Sequence, residues 1–117
     1  MRVALQMQGR VIEVDEVDIE EASRLQAEGA VIIDVRNDDE RAYNYVSGSI
    51  HIPLPELAGR LAEVPAGRVL TVCKMGARSA MAAYILEQGG RGDVSTVAGG
   101  TDAWAAAGKP LSSGAAG

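Results

Sequence analysis

Three runs constrain the fold of this chain more than anything else in it: "AVIID" at 30–34, "GRVLTVC" at 67–73 and "DVSTV" at 93–97. The third, with Ser95 and Thr96 between its valines, reads as a strand, and the first two are near-continuous stretches of apolar residues with no polar face. A strand of that kind has to be covered on both sides, which is the situation of strands in a parallel sheet packed between helices. The segments before, between and after them have helical character. Asp18 precedes "IEEASRLQAEG" at 19–29, with Glu21 placed as in a capping box and Gly29 as the stop. "RSAMAAYILEQGG" at 78–90 is the strongest helix signal, and "TDAWAAAG" at 101–108 predicts a short helix capped by Thr101 and ended by Gly108. Strands alternating with helices predict an α/β fold: a central, mostly parallel sheet flanked by helices on both faces.

The rest of the chain carries weaker patterns. "VALQM" at 3–7 and "VIEVDEV" at 11–17 alternate in places and predict two short strands or a hairpin around Gly9. "NDDERAYNYVSGS" at 37–49 is polar and turn-rich, with room for a single helical turn, and "IHIP" at 50–53 reads as a short strand closed by Pro53. "LPELAGRLAEV" at 54–64 reads as a helix with Pro55 in its first turn, although Gly59 sits inside it. "KPLSSGAAG" at 109–117 has the composition of a tail that frays, flexible from residue 112 onward. With 117 residues, no linker and no internal repeat, residues 1–117 form a single domain. Because there is no Phe, one Trp and three Tyr, its core must be built from Val, Ile, Leu, Ala and Met.

The formal net charge of −5 argues against a general nucleic-acid binder and gives no reason to expect attraction to anionic membranes. No run approaches the roughly 20 apolar residues that span a bilayer, and "MRVALQMQGR" lacks the apolar core of a secretory leader. One cysteine forms no internal disulfide, and one cysteine with one histidine is too little for an ordinary structural zinc site. These features together predict a cytoplasmic protein with one free thiol, no metal and no cofactor.

That thiol, Cys73, ends a buried strand immediately before a helix. In open α/β sheets this is where ligands bind, outside the carboxyl ends of the strands. The connecting loop is Lys74, Met75, Gly76, Ala77, Arg78 and Ser79. A tight strand-to-helix turn aims successive backbone N–H groups at one point, and the positive end of the helix dipole adds to their field. Lys74 and Arg78 contribute two full positive charges, and Gly76 provides backbone freedom. A cysteine at the edge of such a nest is favoured as the thiolate, the nucleophilic form. A lone cysteine is otherwise simply a small buried hydrophobe.

Four stretches in order give the chain a family resemblance. "VIIDVR" at 31–36 resembles a strand ending in Asp-x-Arg; "GSIHIP" at 48–53 resembles a Gly-Ala-Ile-Asn-Ile-Pro signature; "CKMGARS" at 73–79 resembles a Cys-x-x-Gly-x-Arg-Ser active loop; and "VAGGTDAWAAAGKPL" at 97–111 resembles a closing Gly-Gly, Trp and Gly-x-Pro pattern. The chain resembles a single-domain rhodanese, a thiosulfate or related sulfurtransferase, from about Val17 to Leu111. The first 16 residues lie outside the resemblance. The resemblance implies a two-step transfer in which Cys73 takes sulfane sulfur from a donor such as thiosulfate and passes it to a thiophilic acceptor. The acceptor would be cyanide, a small thiol or a protein thiol. In that reading Lys74 and Arg78 steer and hold a small anionic donor, and backbone N–H groups from Lys74 to Ser79 cradle the persulfide. Arg78 has an alternative role, pairing with a nearby carboxylate at the start of its helix.

The same resemblance makes Asp34 and Arg36 pocket-rim or structural residues. Trp104 is core or a wall of the site, and His51 stands where the family usually has Asn, which argues against a role as base. Before "GSIHIP" the family often has Gly-His-Ile, whereas this chain has Asn44, Tyr45 and Val46, with Tyr45 placed for the rim. A phosphatase or arsenate reductase on the same fold would need Cys-x5-Arg to surround a tetrahedral oxyanion, and here four residues separate Cys73 from Arg78. A non-catalytic binding module of the same fold often lacks the cysteine or the loop glycine, and both are present.

Overall fold

The computed structural model describes residues 1–114. It opens with strands β1 (Arg2–Met7) and β2 (Arg10–Val17), followed by helix α1 (Ile19–Ala27), β3 (Val31–Asp34), α2 (Asp38–Tyr43), β4 (Tyr45–Val46) and β5 (Ile50–His51). Next come α3 (Leu54–Leu57), a 3-10 turn (Leu61–Glu63), β6 (Val69–Val72), α4 (Ala77–Gln88), β7 (Val94–Val97), α5 (Gly100–Ala106) and β8 (Leu111–Ser112). Six strands form one sheet in the order β1-β2-β7-β6-β3-β5. Only the β1–β2 pair is antiparallel; the β2–β7, β7–β6, β6–β3 and β3–β5 neighbours are all parallel.

The unbroken apolar strands have the two-sided burial their sequences predict. Successive residues of β3 and β6 alternate between two cores: Ile33 and Val69 face one, Ile32, Leu70 and Val72 the other. The first core is closed by Leu57 of α3 and by Ala80, Ala83 and Leu86 of α4. The second is closed by Ala22 of α1 and Trp104 of α5. Helices therefore cover both faces, and no helix among the described residues is long and apolar enough to cross a membrane.

The N-terminal residues extend the sheet. The β1–β2 hairpin turns at Gln8 and Gly9, both at positive φ (52° and 78°), the backbone of a tight two-residue turn whose twist matches its strands. Three expectations are corrected. The segment 54–64 is not one helix: α3 ends at Leu57, and after Gly59 the chain re-forms only as a 3-10 turn. Thr101 is not the cap of α5; Gly99 is, at φ 77°, and Thr101 lies inside the helix. The segment read as a tail is ordered through Ser112, because Leu111 and Ser112 pair antiparallel with Val46 and Tyr45. Residues 115–117 of that segment lie outside the described residues.

Candidate active site

Cys73 leaves the carboxyl end of β6 with only 1 % of its surface exposed. The chain then makes a short loop and enters α4 through Gly76, at φ 121°, a conformation that strains any residue with a Cβ. There is open room at that position, since a Cβ would come no nearer than 3.7 Å to Gly99 N. The glycine is therefore required by backbone conformation rather than by crowding. Gly76 donates its N–H to Cys73 Sγ at 3.0 Å. The N–H groups of Lys74, Met75, Ala77, Arg78 and Ser79 meet no acceptor among the described residues. These donors follow Cys73 directly in the chain, and those of Ala77, Arg78 and Ser79 are the first-turn donors of α4 that a helix leaves without internal partners.

The outer side of the loop is held by α5. Thr101 donates its N–H to Cys73 O at 2.8 Å and Asp102 to Lys74 O at 3.1 Å, so the first turn of α5 grips the loop backbone. The approach is so close that a Cβ on Gly100 would lie 2.2 Å from Cys73 O and 2.5 Å from Lys74 O. Gly100 is thus a site residue in a steric sense. The Gly-Gly pair in front of a short helix was its only trace in the sequence.

Both loop cations are already partnered. The Arg78 guanidinium makes two hydrogen bonds to the Glu40 carboxylate of α2, at 2.6 and 3.0 Å, and Lys74 Nζ reaches Asp102 of α5 at 2.9 Å. Arg78 therefore makes the carboxylate pairing of its alternative reading. Its bonds hold Glu40 well below the ordinary carboxylate range, at about 2, with the Asn37 N–H helping, and the Arg78 guanidinium is raised in turn. Glu40 and Asp102 were not found from the sequence. Their partners are 38 and 28 residues away, and no local pattern encodes such a contact. Met75 projects outward and is 71 % exposed.

Asp34 and Arg36 form a buried ion pair, and Arg36 also lines the cleft between α2 and α5. Asp34 is fully buried and accepts the Arg36 N–H at 3.0 Å and the Arg36 guanidinium at 2.9 Å, with Arg41 at 3.5 Å. Arg36 continues to the side-chain and backbone oxygens of Asn44. Arg41 reaches the Ser49 hydroxyl and carbonyl, and lies 3.9 Å over the Tyr45 ring. Tyr45 is consequently buried under a guanidinium and is not the rim residue it was expected to be. His51 directs Nε2 to Arg36 O at 2.8 Å and has no contact with Cys73. Trp104 is core, with its indole N–H donated to Pro110 O at 2.9 Å.

A cleft of about 420 Å³ lies between α2 and α5, lined by Arg36, Asp39, Glu40, Tyr43, Lys74 and Asp102 among others. It abuts the loop at Lys74, and Cys73 does not line it. A larger hollow of about 570 Å³ beside Met1 and α1 is lined mainly by Glu16, Asp18, Glu20, Glu21 and Arg24 and holds no nucleophile. No cluster of metal-ligating side chains occurs among the described residues.

The family model for the rhodanese-like domain matches residues 18–107. A sulfurtransferase of Allochromatium vinosum is 35 % identical over 101 residues, covering 84 % of this chain and 94 % of the relative. The thiosulfate sulfurtransferase GlpE of Pseudomonas fluorescens is 36 % identical over 87 residues, 73 % of this chain and 79 % of the relative. A rhodanese-related protein of Thermoplasma volcanium superposes with a TM-score of 0.77 at 25 % identity, over 84 % of this chain and 97 % of that one.

Proposed function

The chain belongs to the rhodanese-like domain family, and from that premise we propose that it is a sulfurtransferase working through a persulfide on Cys73, with thiosulfate or a similar small anion as donor. Relatives named sulfurtransferase support the class of reaction. The observation that carries the chemistry is the run of N–H groups after Cys73 with no acceptor among the described residues. Donors fixed by the backbone stabilise a charged sulfur without having to reorganise during the reaction.

The steps balance without an added oxidant or reductant. The Cys73 thiolate attacks the outer sulfur of thiosulfate, an Sγ–S bond forms, the S–S bond of the donor breaks, and sulfite leaves with the electron pair. The persulfide anion then sits where the loop N–H groups can bind it. An acceptor thiolate or cyanide attacks the terminal sulfur, and Cys73 returns as thiolate. Splitting the transfer in this way replaces one difficult step by two easier ones. With no second cysteine in the chain, the sulfur must go to another molecule, whether a small thiol, cyanide or a protein thiol.

Arg78 and Lys74 assist a donor only as members of ion pairs, so the backbone provides the primary anion contact. The short Cys-x4-Arg spacing disfavours a phosphatase, because the loop has one residue fewer to wrap a tetrahedral group. Steady-state transfer of sulfur from thiosulfate to cyanide tests the reading. Double-displacement kinetics that vanish in Cys73→Ser are expected. Binding of a partner without any turnover would instead mark a non-catalytic module.

A further inference from the structure

The inner side of the Cys73 loop is made of hydroxyls. Thr71 of β6 and Thr96 of β7 are register partners in the parallel sheet, and both reach Ser79 in the first turn of α4. Thr71 donates its hydroxyl to Ser79 O at 2.7 Å. Thr96 Oγ1 lies 2.7 Å from Ser79 Oγ. Ser79 Oγ in turn is 3.1 Å from Gly76 O and 3.4 Å from Cys73 Sγ. Thr71, Ser79 and Thr96 are all at most 1 % exposed.

The proton count in this group is informative. A hydroxyl has one proton and two lone pairs. Ser79 Oγ is the single partner of the Thr96 hydroxyl among the described residues. If Ser79 donated to Thr96, the Thr96 proton would be buried with no acceptor, which is costly. The satisfied arrangement has Thr96 donating to Ser79. The Ser79 proton is then left with two destinations, Gly76 O and Cys73 Sγ. Against a thiol, Ser79 accepts from Sγ–H and donates to Gly76 O. Against a negatively charged sulfur, it turns its proton to Sγ.

We propose that Thr96 is a positioning residue for the reaction, whose hydroxyl makes Ser79 a hydrogen-bond donor to the charged sulfur of Cys73. The proposal deepens the reading of Cys73 as nucleophile and rests on it. A donor that is itself polarised by a second hydroxyl in a dry site binds an anion more strongly, and a hydrogen bond to the charged form of an acid favours that form. Thr96 touches neither sulfur nor substrate and acts entirely through Ser79.

The test is the ionisation of Cys73 in the full chain, followed against pH by thiolate ultraviolet absorbance with Cys73→Ser as blank, and in parallel by the rate of alkylation with iodoacetamide. Absorbance needs no reagent to enter the site. Thr96→Val replaces the hydroxyl by a methyl of similar size, and thermal melting checks that the variant folds. It is expected to move the midpoint of both profiles upward by about half a pH unit, and Thr96→Ser to restore it. In a Ser79→Ala background, Thr96→Val is expected to move the midpoint no further. A Thr96→Val profile that superimposes on the unmodified one overturns the proposal, and so does a shift that persists undiminished without Ser79. Neither readout requires a sulfur donor. A shift in a chain that takes no sulfur from thiosulfate would leave the Thr96–Ser79–Cys73 coupling standing and remove the proposed function, and sulfur uptake with an unshifted profile would do the reverse.

Discussion

Two charged motifs end adjacent strands of the sheet, Asp34–Arg36 after β3 and Cys73–Ser79 after β6, with Asp34 in register with Val72. They solve opposite problems. At Asp34 the carboxylate is fully buried between Arg36 and Arg41, and the Arg36 guanidinium is hydrogen-bonded to it and to Asn44, so the motif's donors are spent inside the fold. In the Cys73 loop the side-chain charges are paired outward to α2 and α5, while the backbone donors beside the sulfur are left unengaged. Internal closure holds a fold together; donors left open next to a nucleophile are available for chemistry. The two motifs look equally polar in sequence, and only the distribution of their partners separates them.

The largest effect should come from the closed motif. Removing Arg36 strips the buried Asp34 carboxylate of its bidentate partner and leaves it only the longer Arg41 contact at 3.5 Å, so Arg36→Ala is expected to destabilise the chain by about 3 kcal/mol in denaturant unfolding. A loss below 1 kcal/mol would erase the distinction drawn here. Next comes the junction between the loop and α5. Gly100→Ala places a Cβ 2.2 Å from Cys73 O at φ 58°, and combined overpacking and backbone strain should reduce stability by about 2–4 kcal/mol and displace the loop. Normal stability together with normal turnover would show that α5 does not hold the loop as described.

Arg78→Ala should behave in the opposite way to Arg36→Ala. Its ion pair is partly exposed, so stability should fall by no more than about 1 kcal/mol, while KM for thiosulfate rises several-fold. Unchanged donor kinetics would remove Arg78 from substrate binding. The smallest effect concerns Glu40. Its carboxyl is held at about 2 in the folded chain, below its ordinary value of 4.5, chiefly by the Arg78 hydrogen bonds. The stabilisation it contributes is complete above pH 4.5 and is lost as pH falls toward 2. In acid unfolding, Glu40→Gln should flatten the slope of stability within that window. A slope identical to that of the unmodified chain would show that the pair contributes nothing to stability.

Much of this contrast was legible in the sequence. The unbroken apolar runs 30–34 and 67–73 placed two parallel strands, because burial on both faces leaves a compositional mark that needs no knowledge of the partner, and "DVSTV" at 93–97 read as a third strand. The same logic located Cys73 at a strand end and Gly76 at a special backbone position. What stayed hidden is set by contacts across elements. Nothing near Glu40 announces Arg78, nothing in "VSTV" shows that Thr96 lies under Ser79, and Gly100 stood out only as part of a Gly-Gly pair before a short helix. The break of 54–64 into two pieces was signalled by Gly59 but outweighed by the leucine spacing around it. Leu111 and Ser112 were read as a tail because a two-residue strand has no pattern of its own, and only pairing with Tyr45 and Val46 orders it.

The central claim is that the Cys73 loop is built to hold a transferred sulfur atom. The most direct measurement is the intact mass of the full chain after incubation with thiosulfate and removal of excess donor, before and after addition of cyanide. The account predicts a gain of one sulfur atom, lost again on cyanide addition and absent in Cys73→Ser. A mass unchanged by thiosulfate and by other sulfane-sulfur donors, in a chain whose Cys73 still alkylates, would contradict it.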